Sequence, residues 1–205
     1  MAVADEPVEV VDGEGRVLDV VPRSVMRQGS LTHRSTYVAV IGQELEPLPP
    51  AGLVAALDTA AGKHSEAERL DMLRRCGLGG HSRLVVHQRA GWKDVNPSYW
   101  DIAFGGVCGV GETWLESARR ELAEEAGLTT HLIDLGSGRY TDDHTDIVAR
   151  CFLAATEDEP TCPDGEVIEL DVIRLSRLDE WLSGRAVCPD SVALLGPILR
   201  SIGRL

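Results

Sequence analysis

Between Gly106 and Leu128 the chain holds glutamates in a fixed frame, G-x5-E-x7-R-E-U-x-E-E-x-G-U, where U is a bulky aliphatic residue. Glu112 comes first, then Arg120-Glu121-Leu122, then Glu124-Glu125, closed by Gly127-Leu128. At about 100° per residue, Leu115, Ala118, Leu122 and Ala126 share one helical stripe and Glu121, Glu124 and Glu125 lie on another beside it. Three carboxylates at the rim of a buried face, with a loop ahead of them, form an oxygen-rich set. Such a set suits a hard divalent cation, Mg²⁺ or Mn²⁺, which takes carboxylates, carbonyls and water. A solvated acidic face is the default alternative for an amphipathic helix. Like-charge contacts at 121–124 and 121–125 cost only about 0.2–0.5 kcal/mol each and decide nothing. The loop carries more weight, because Gly109 and Gly111 expose backbone and deliver Glu112 to the same place.

These carboxylates need a helix with fixed ends. Thr113 followed by Glu116 is a capping-box pattern, and Gly127 with Leu128 beyond it fits a left-handed C-terminal cap, which predicts a helix over 113–127. Upstream, Val8 to Asp12 and Val17 to Val21 read as two strands around a glycine turn. A short helix follows over Pro22 to Gly29, with proline in its first turn. Arg34 to Gly42 is a β-branched central strand, and Arg83 to Arg89 reads as its partner. Between them, three prolines precede helices expected over Leu53 to Ala61 and Ser65 to Cys76, a surface-packed insertion. Asp101 to Phe104 is a short strand leading into the glycine loop. Leu132 to Arg139 and Ile147 to Ala155 are strands about a polar turn, and the cluster Asp142, Asp143, His144 and Asp146 reads as turn chemistry rather than a metal site. Val167 to Leu175 is a late strand, Arg177 to Ser183 a short helix, and Pro189 to Ile202 the closing helix.

With 205 residues, 43% of them apolar, the chain suits one domain. No apolar run reaches the roughly 18–20 residues of a membrane helix. The acidic start MAVADEPVEV lacks the order of a secretory signal, and five cysteines without C-x-x-C spacing indicate neither a disulfide framework nor zinc; a reduced, cytoplasmic protein is expected. The formal charge of −13 argues against binding duplex nucleic acid. An anionic substrate would need local positive charge, and Arg23, Arg27 and Arg34 fall in an acid-free stretch over 22–37, with Arg83, Arg89 and Lys93 later.

The frame from Gly106 to Leu128 resembles the Nudix box with no position missing. The resemblance implies an α/β/α sandwich around a mixed sheet and a single domain over 1–205, here with an N-terminal hairpin extension over 1–29 and a helical insertion over 43–82. It further implies metal-dependent hydrolysis of a nucleoside diphosphate linked to another group. By position, Glu121, Glu124 and Glu125 would be metal ligands with the Gly105 carbonyl, and Glu112 would support the helix and the water-metal network. A further glutamate is brought from ahead of a late strand in many such enzymes; Glu166 is preferred here over Glu169. The general base is Glu125 or Glu166. Arg34, Arg89 and Lys93 are candidates to hold phosphate, and Trp100 to stack on a base. The partner is a small diphosphate substrate, with no membrane and a possible homodimer through the hairpin or the insertion. HRSTYVAV followed by LVVHQRAGWKDVNPSYWDIAFGG resembles the subgroup that contains isopentenyl-diphosphate isomerase. That rival activity requires a cysteine near Gly105, whereas Cys108 sits inside the glycine loop. A non-catalytic nucleotide-binding module is the third reading, and such modules are expected to lose box carboxylates.

Overall fold

The computed structural model describes residues 5–42, 66–75 and 77–204. Strand β3 (His33–Gly42) is the hub, because both of its faces are buried. Tyr37, Ala39 and Ile41 point into one hydrophobic layer and Val38 and Val40 into the other, as alternation along a strand requires. Strand β7 (Asp146–Thr156) runs parallel to β3 along its whole length, from His33 opposite Ile147 to Gly42 opposite Thr156. Strand β6 (Leu132–Thr141) adds antiparallel to β7. The four-residue turn between them is tied by Asp142, whose carboxylate accepts the N–H groups of His144 and Thr145. The acidic cluster there is turn chemistry, as its spacing predicts.

Strand β4 (Arg83–Arg89) departs from expectation. It meets β3 only where Val40–Gly42 lie opposite Arg83–Val85, and its full-length partner is β8 (Val167–Arg174). The reason is a wedge. The chain from Phe104 to Cys108 enters the space where β3 and β4 splay and takes the backbone groups of β3 that β4 leaves free. Val38 and Phe104 exchange both bonds at 2.7 and 2.9 Å, Thr36 N–H donates to the Gly106 carbonyl, and Cys108 N–H to the Arg34 carbonyl. The expected strand over 101–104 therefore splits into a two-residue β5 (Trp100–Asp101) on β4 and the Phe104 bridge on β3. Gly105 is obligatory at this crossing: its φ is +150°, and a Cβ would stand 2.0 Å from the Thr36 carbonyl oxygen.

Helices cover both faces. On one side α3 (Trp114–Glu121) packs Ala118, with Leu122 and Ala126 from the turn after it, against Val38, Val40, Phe104 and Phe152. On the other side α5 (Pro189–Gly203) buries Leu195, Leu199 and Ile202 in the layer that also holds Leu84, Val86 and Ile102. Each fully buried aliphatic side chain there contributes about 1.5–3 kcal/mol. The result is the α/β/α sandwich around a mixed sheet.

The described part of the inserted region, 66–75 and 77–82, contributes to that core. Helix α2 (Glu66–Arg75) is 0% exposed at Leu73, and Leu78 just beyond it is 4% exposed, both within the α5-side cluster. A surface-packed insertion is thereby corrected, because apolar positions of α2 fill space under α5. The helix expected over 53–61 and the cap at Ser65 lie outside the described residues. Between β8 and α5 the short helix α4 (Leu178–Leu182) buries Trp181.

The N-terminal hairpin, β1 (Pro7–Val11) and β2 (Val17–Pro22), joins the sheet through Val10 opposite His33. Pro22 ends β2 in extended conformation, φ −58° and ψ 142°, so helix α1 (Arg23–Gln28) starts one residue after it. Met26 of α1 is 1% exposed and packs with Val8 and Val107, which fixes α1 beside the glycine loop. Among the described residues no helix is long and apolar enough to cross a membrane.

Candidate active site

The helix that carries the box starts as predicted. Thr113 Oγ1 accepts the Glu116 N–H at 3.3 Å and the Glu116 carboxylate accepts the Thr113 N–H at 2.8 Å, a reciprocal cap. Its end differs from a plain α-helix. After Glu121 the backbone widens into one π turn over Leu122–Ala126, closed by Gly127 at φ 69°. Single π turns recur at functional sites because they re-aim side chains. Here Glu125 is turned inward and 4% exposed, whereas the Glu124 side chain remains 55% exposed.

Arg120 organises three of the carboxylates. Its guanidinium donates to Glu112 at 2.7 and 3.0 Å, to Glu121 at 2.8 Å and to Glu124 at 2.9 Å. Glu112 also accepts the Gly109 N–H at 2.7 Å, and the Arg120 bonds hold its carboxyl below the usual range. Loop and helix are thus clamped through charge-assisted bonds. Gly106 completes the fit, since a Cβ there would stand 2.8 Å from either Glu121 oxygen.

Glu125 lies deeper. Its Oε2 accepts the Gly105 N–H at 2.9 Å. Lys93 Nζ lies 3.7 Å from its Oε1 and makes a direct ion pair with Glu166. Burial, followed by repulsion from Glu121, pushes the Glu125 carboxyl up to about 8 against the pull of Lys93 and the Gly105 N–H. Burial also raises Glu121, against the pull of Arg120.

These groups border a cleft of about 250 Å³. The structure brings Gly105, Glu121, Glu124, Glu125, Glu166, Arg89 and Lys93 to its wall. Arg34, Trp100 and Glu112 are not among its lining residues. Arg34 is spent on structure: it pairs with Glu9, donates to the Glu112 carbonyl at 2.8 Å and lies 5.0 Å over the Trp114 ring. Trp100 meets Trp181 edge-on at 5.5 Å in the α5-side layer, so it is a packing residue rather than a base platform. Glu112 stays off the cleft wall, bonded to Arg120, which lines it. Of the two late glutamates, Glu166 faces the cleft and Glu169 sits exposed on β8 opposite Gln88.

Other lining residues are not marked by the box. Arg23 and Arg27 reach the wall from α1, Tyr37 from β3, Asp101 from β5 and Asp190 from the start of α5. The Tyr37 hydroxyl donates to Asp190 at 2.7 Å. Burial and the neighbouring Asp190 outweigh the Arg89 guanidinium 3.8 Å away and leave Asp101 pushed up to about 6. The acid-free run over 22–37, with Arg23 and Arg27 at helical i,i+4 spacing, was the available signal for α1. Asp101 and Asp190 carry none, since only the fold brings them together.

The donor set fits a hard divalent cation. Along the cleft carboxylates outnumber cationic side chains nine to five, and burial raises Glu121 and Glu125. Among the described residues no three His, Cys, Asp or Glu groups are already drawn into a ligand cluster; Arg120 and Lys93 hold these carboxylates instead. Cys108 is 2% exposed, and burial pushes its thiol up to about 11. A buried thiol of that kind is a packing group, since the nucleophile is the thiolate.

The NUDIX domain family matches residues 76–189 of the chain. Among curated proteins, an uncharacterized Nudix hydrolase of Pseudomonas aeruginosa is 33% identical over 113 residues, 55% of this chain and 67% of that protein. One of Rhodococcus erythropolis is 34% identical over 160 residues, 75% of this chain and 67% of that protein. A third, from Yersinia pestis, is 31% identical over 123 residues, and the match spans only 47% of its length. A crystal structure from Deinococcus radiodurans superposes with a TM-score of 0.64 at 16% identity, covering 97% of this chain and all (100%) of that one. The NUDIX domain of Shewanella oneidensis NrtR, complexed with ADP ribose, gives 0.51 at 12% identity, covering 83% of this chain and 87% of that one. At such identities the structures speak for the fold alone.

Proposed function

Because the chain belongs to the Nudix family of pyrophosphohydrolases, we propose that it cleaves the diphosphate linkage of a nucleoside diphosphate joined to another group, with Mg²⁺ or Mn²⁺ bound at the box. The observation that carries this reading is the intact carboxylate set: Glu121, Glu124 and Glu125 stand on one helix end beside Gly105, at the wall of a polar cleft. Glu121, Glu124, Glu125 and the Gly105 carbonyl would hold the cation. When bound, it supplies positive charge that steadies a diphosphate and lowers the pKa of a coordinated water.

The chain's own residues do the rest. Arg89 and Lys93 lie on the cleft wall and present cationic groups to phosphate oxygens. A water oxygen attacks one phosphorus, the bridging P–O bond breaks, and the proton of the water passes to a carboxylate within reach. Glu125 and Glu166 are the candidates, and Lys93 bridges the two. Arg120 and Glu112 act at one remove by holding the helix and loop in register. Burial of the Cys108 thiol disfavours the isomerase alternative, and retention of every box carboxylate disfavours a module that only binds. The test is product release from a panel of nucleoside diphosphate conjugates with Mg²⁺. Two phosphate monoesters from at least one member support the reading, and no turnover across the panel overturns it.

A further inference from the structure

The family match begins at residue 76, yet one wall of the cleft comes from well before it. Helix α1 places Arg23 and Arg27 there, at i,i+4 and so on one face. The helix is not free to drift. Met26 is buried against Val8 and Val107, the Leu31 N–H closes on the Met26 carbonyl at 3.0 Å, and the Arg23 N–H bonds the Glu6 carbonyl at 2.8 Å. Both guanidiniums have donors to spare. Among the described residues, Arg23 touches one oxygen of the exposed Glu6, at 3.3 Å. Arg27 has its Nε buried with no aligned acceptor, Asp94 lying 3.4 Å away. Burial also draws the Arg27 pKa down, so its charge is incompletely matched by what surrounds it. Most exposed arginines are solvated cations on a surface; these two are fixed, face one opening and share the cleft with the box carboxylates.

We propose that Arg23 and Arg27 form a second anion subsite on the α1 wall of the cleft, taking a phosphoryl group of the substrate. The inference rests on the hydrolase reading for its substrate but not for its binding chemistry, which needs no metal. Two planar guanidiniums side by side match the oxygens of a phosphate, bidentate and charge-assisted. The phosphoryl group is either the distal one of the diphosphate or a separate monoester elsewhere on the molecule. Asp94 competes for Arg27 and sets how strongly the subsite holds.

The experiment is calorimetric titration of inorganic pyrophosphate in the presence of EDTA, alongside kinetics. Wild type is expected to bind. Arg23→Met/Arg27→Met should bind at least tenfold more weakly, Asp94→Asn more tightly, and Arg177→Met, an exposed arginine outside the cleft, like wild type. Equal affinity in wild type and the double variant at unchanged melting temperature overturns the proposal. Pyrophosphate binding in EDTA reads the subsite alone, so absence of turnover in wild type, with binding weakened in the double variant, overturns the hydrolase reading and leaves the subsite standing. In kinetics the double variant should raise KM with kcat within a few-fold. A KM rise on every diphosphate substrate assigns the subsite to the distal phosphoryl, a rise confined to substrates with an extra phosphomonoester assigns it to that group, and no rise on either overturns it.

Discussion

Replacing Gly106 by Ala separates the site from the fold. The added Cβ would stand 2.8 Å from both Glu121 oxygens and 2.9 Å from the carboxyl carbon, so its three nearest neighbours all belong to one side chain. The obstacle is the far end of a flexible side chain, which swings away at the cost of an imperfect rotamer, about 0.5–1.5 kcal/mol. For a domain of this size a loss of about 1 kcal/mol lowers Tm by roughly 2–4 °C. The displaced group is one of the carboxylates argued to hold the cation, and misplacement by about 1 Å costs on the order of 10²-fold in rate. Gly106→Ala should therefore fold with a small loss of Tm, lose about two orders of magnitude in turnover, and show a smaller Mg²⁺-induced rise in Tm than wild type. Gly105→Ala is the contrast: its Cβ would stand 2.0 Å from a backbone oxygen, at φ +150°. Backbone strain of about 1–3 kcal/mol adds there to overpacking of similar size, so that variant should unfold far below wild type. Thermal melts with and without Mg²⁺, plus turnover, read both. Wild-type turnover and metal response in Gly106→Ala, or equal destabilisation of the two variants, would refute the reasoning.

Leu73→Ala, which empties a side chain at 0% exposure under α5, should cost about 2–5 kcal/mol in denaturant melts, with turnover per folded molecule within a few-fold. Asp101 has a folded pKa near 6, above its unfolded value, so its contribution to stability is complete below about pH 4 and is lost as pH rises through 6. Asp101→Asn should remove that component, on the order of 2–3 kcal/mol, and a difference in Tm between wild type and variant that stays constant from pH 4 to 7 contradicts it. Cys108→Ser should keep turnover within a few-fold, since a buried thiol raised to about 11 serves packing; loss of nearly all activity in a folded variant would return the isomerase to consideration.

The box was legible because its constraints are local. A cap at Thr113, a left-handed Gly127 and a stripe of carboxylates are all written within one helix and its loop, and the helix starts where they say. The π turn after Glu121 was not legible, since it depends on how Leu122 and Ala126 seat against Phe104 and Phe152. Strand existence followed from β-branched runs, but the partner of β4 did not: that depends on the Phe104–Cys108 wedge, a long-range fit with no periodic signature. Charge type alone misplaced Arg34, whose contacts with Glu9 and Trp114 come from the docking of the hairpin on one side and the start of α3 on the other. Trp100 went the same way, because an aromatic beside a core strand packs wherever a second ring, here Trp181, is brought to it.

The most direct measurement is turnover of a responsive diphosphate substrate against Mg²⁺ concentration, run in parallel for wild type and Glu124→Gln. Glu124 is the most exposed ligand candidate, with its side chain 55% exposed, so its replacement leaves the fold least disturbed. If the carboxylate stripe exists to hold a cation, wild-type turnover requires the metal and Glu124→Gln falls by at least two orders of magnitude, in keeping with the several kcal/mol a positioned metal contributes to the transition state. Turnover that persists in EDTA, or equal rates and equal metal dependence in the two proteins, would contradict it.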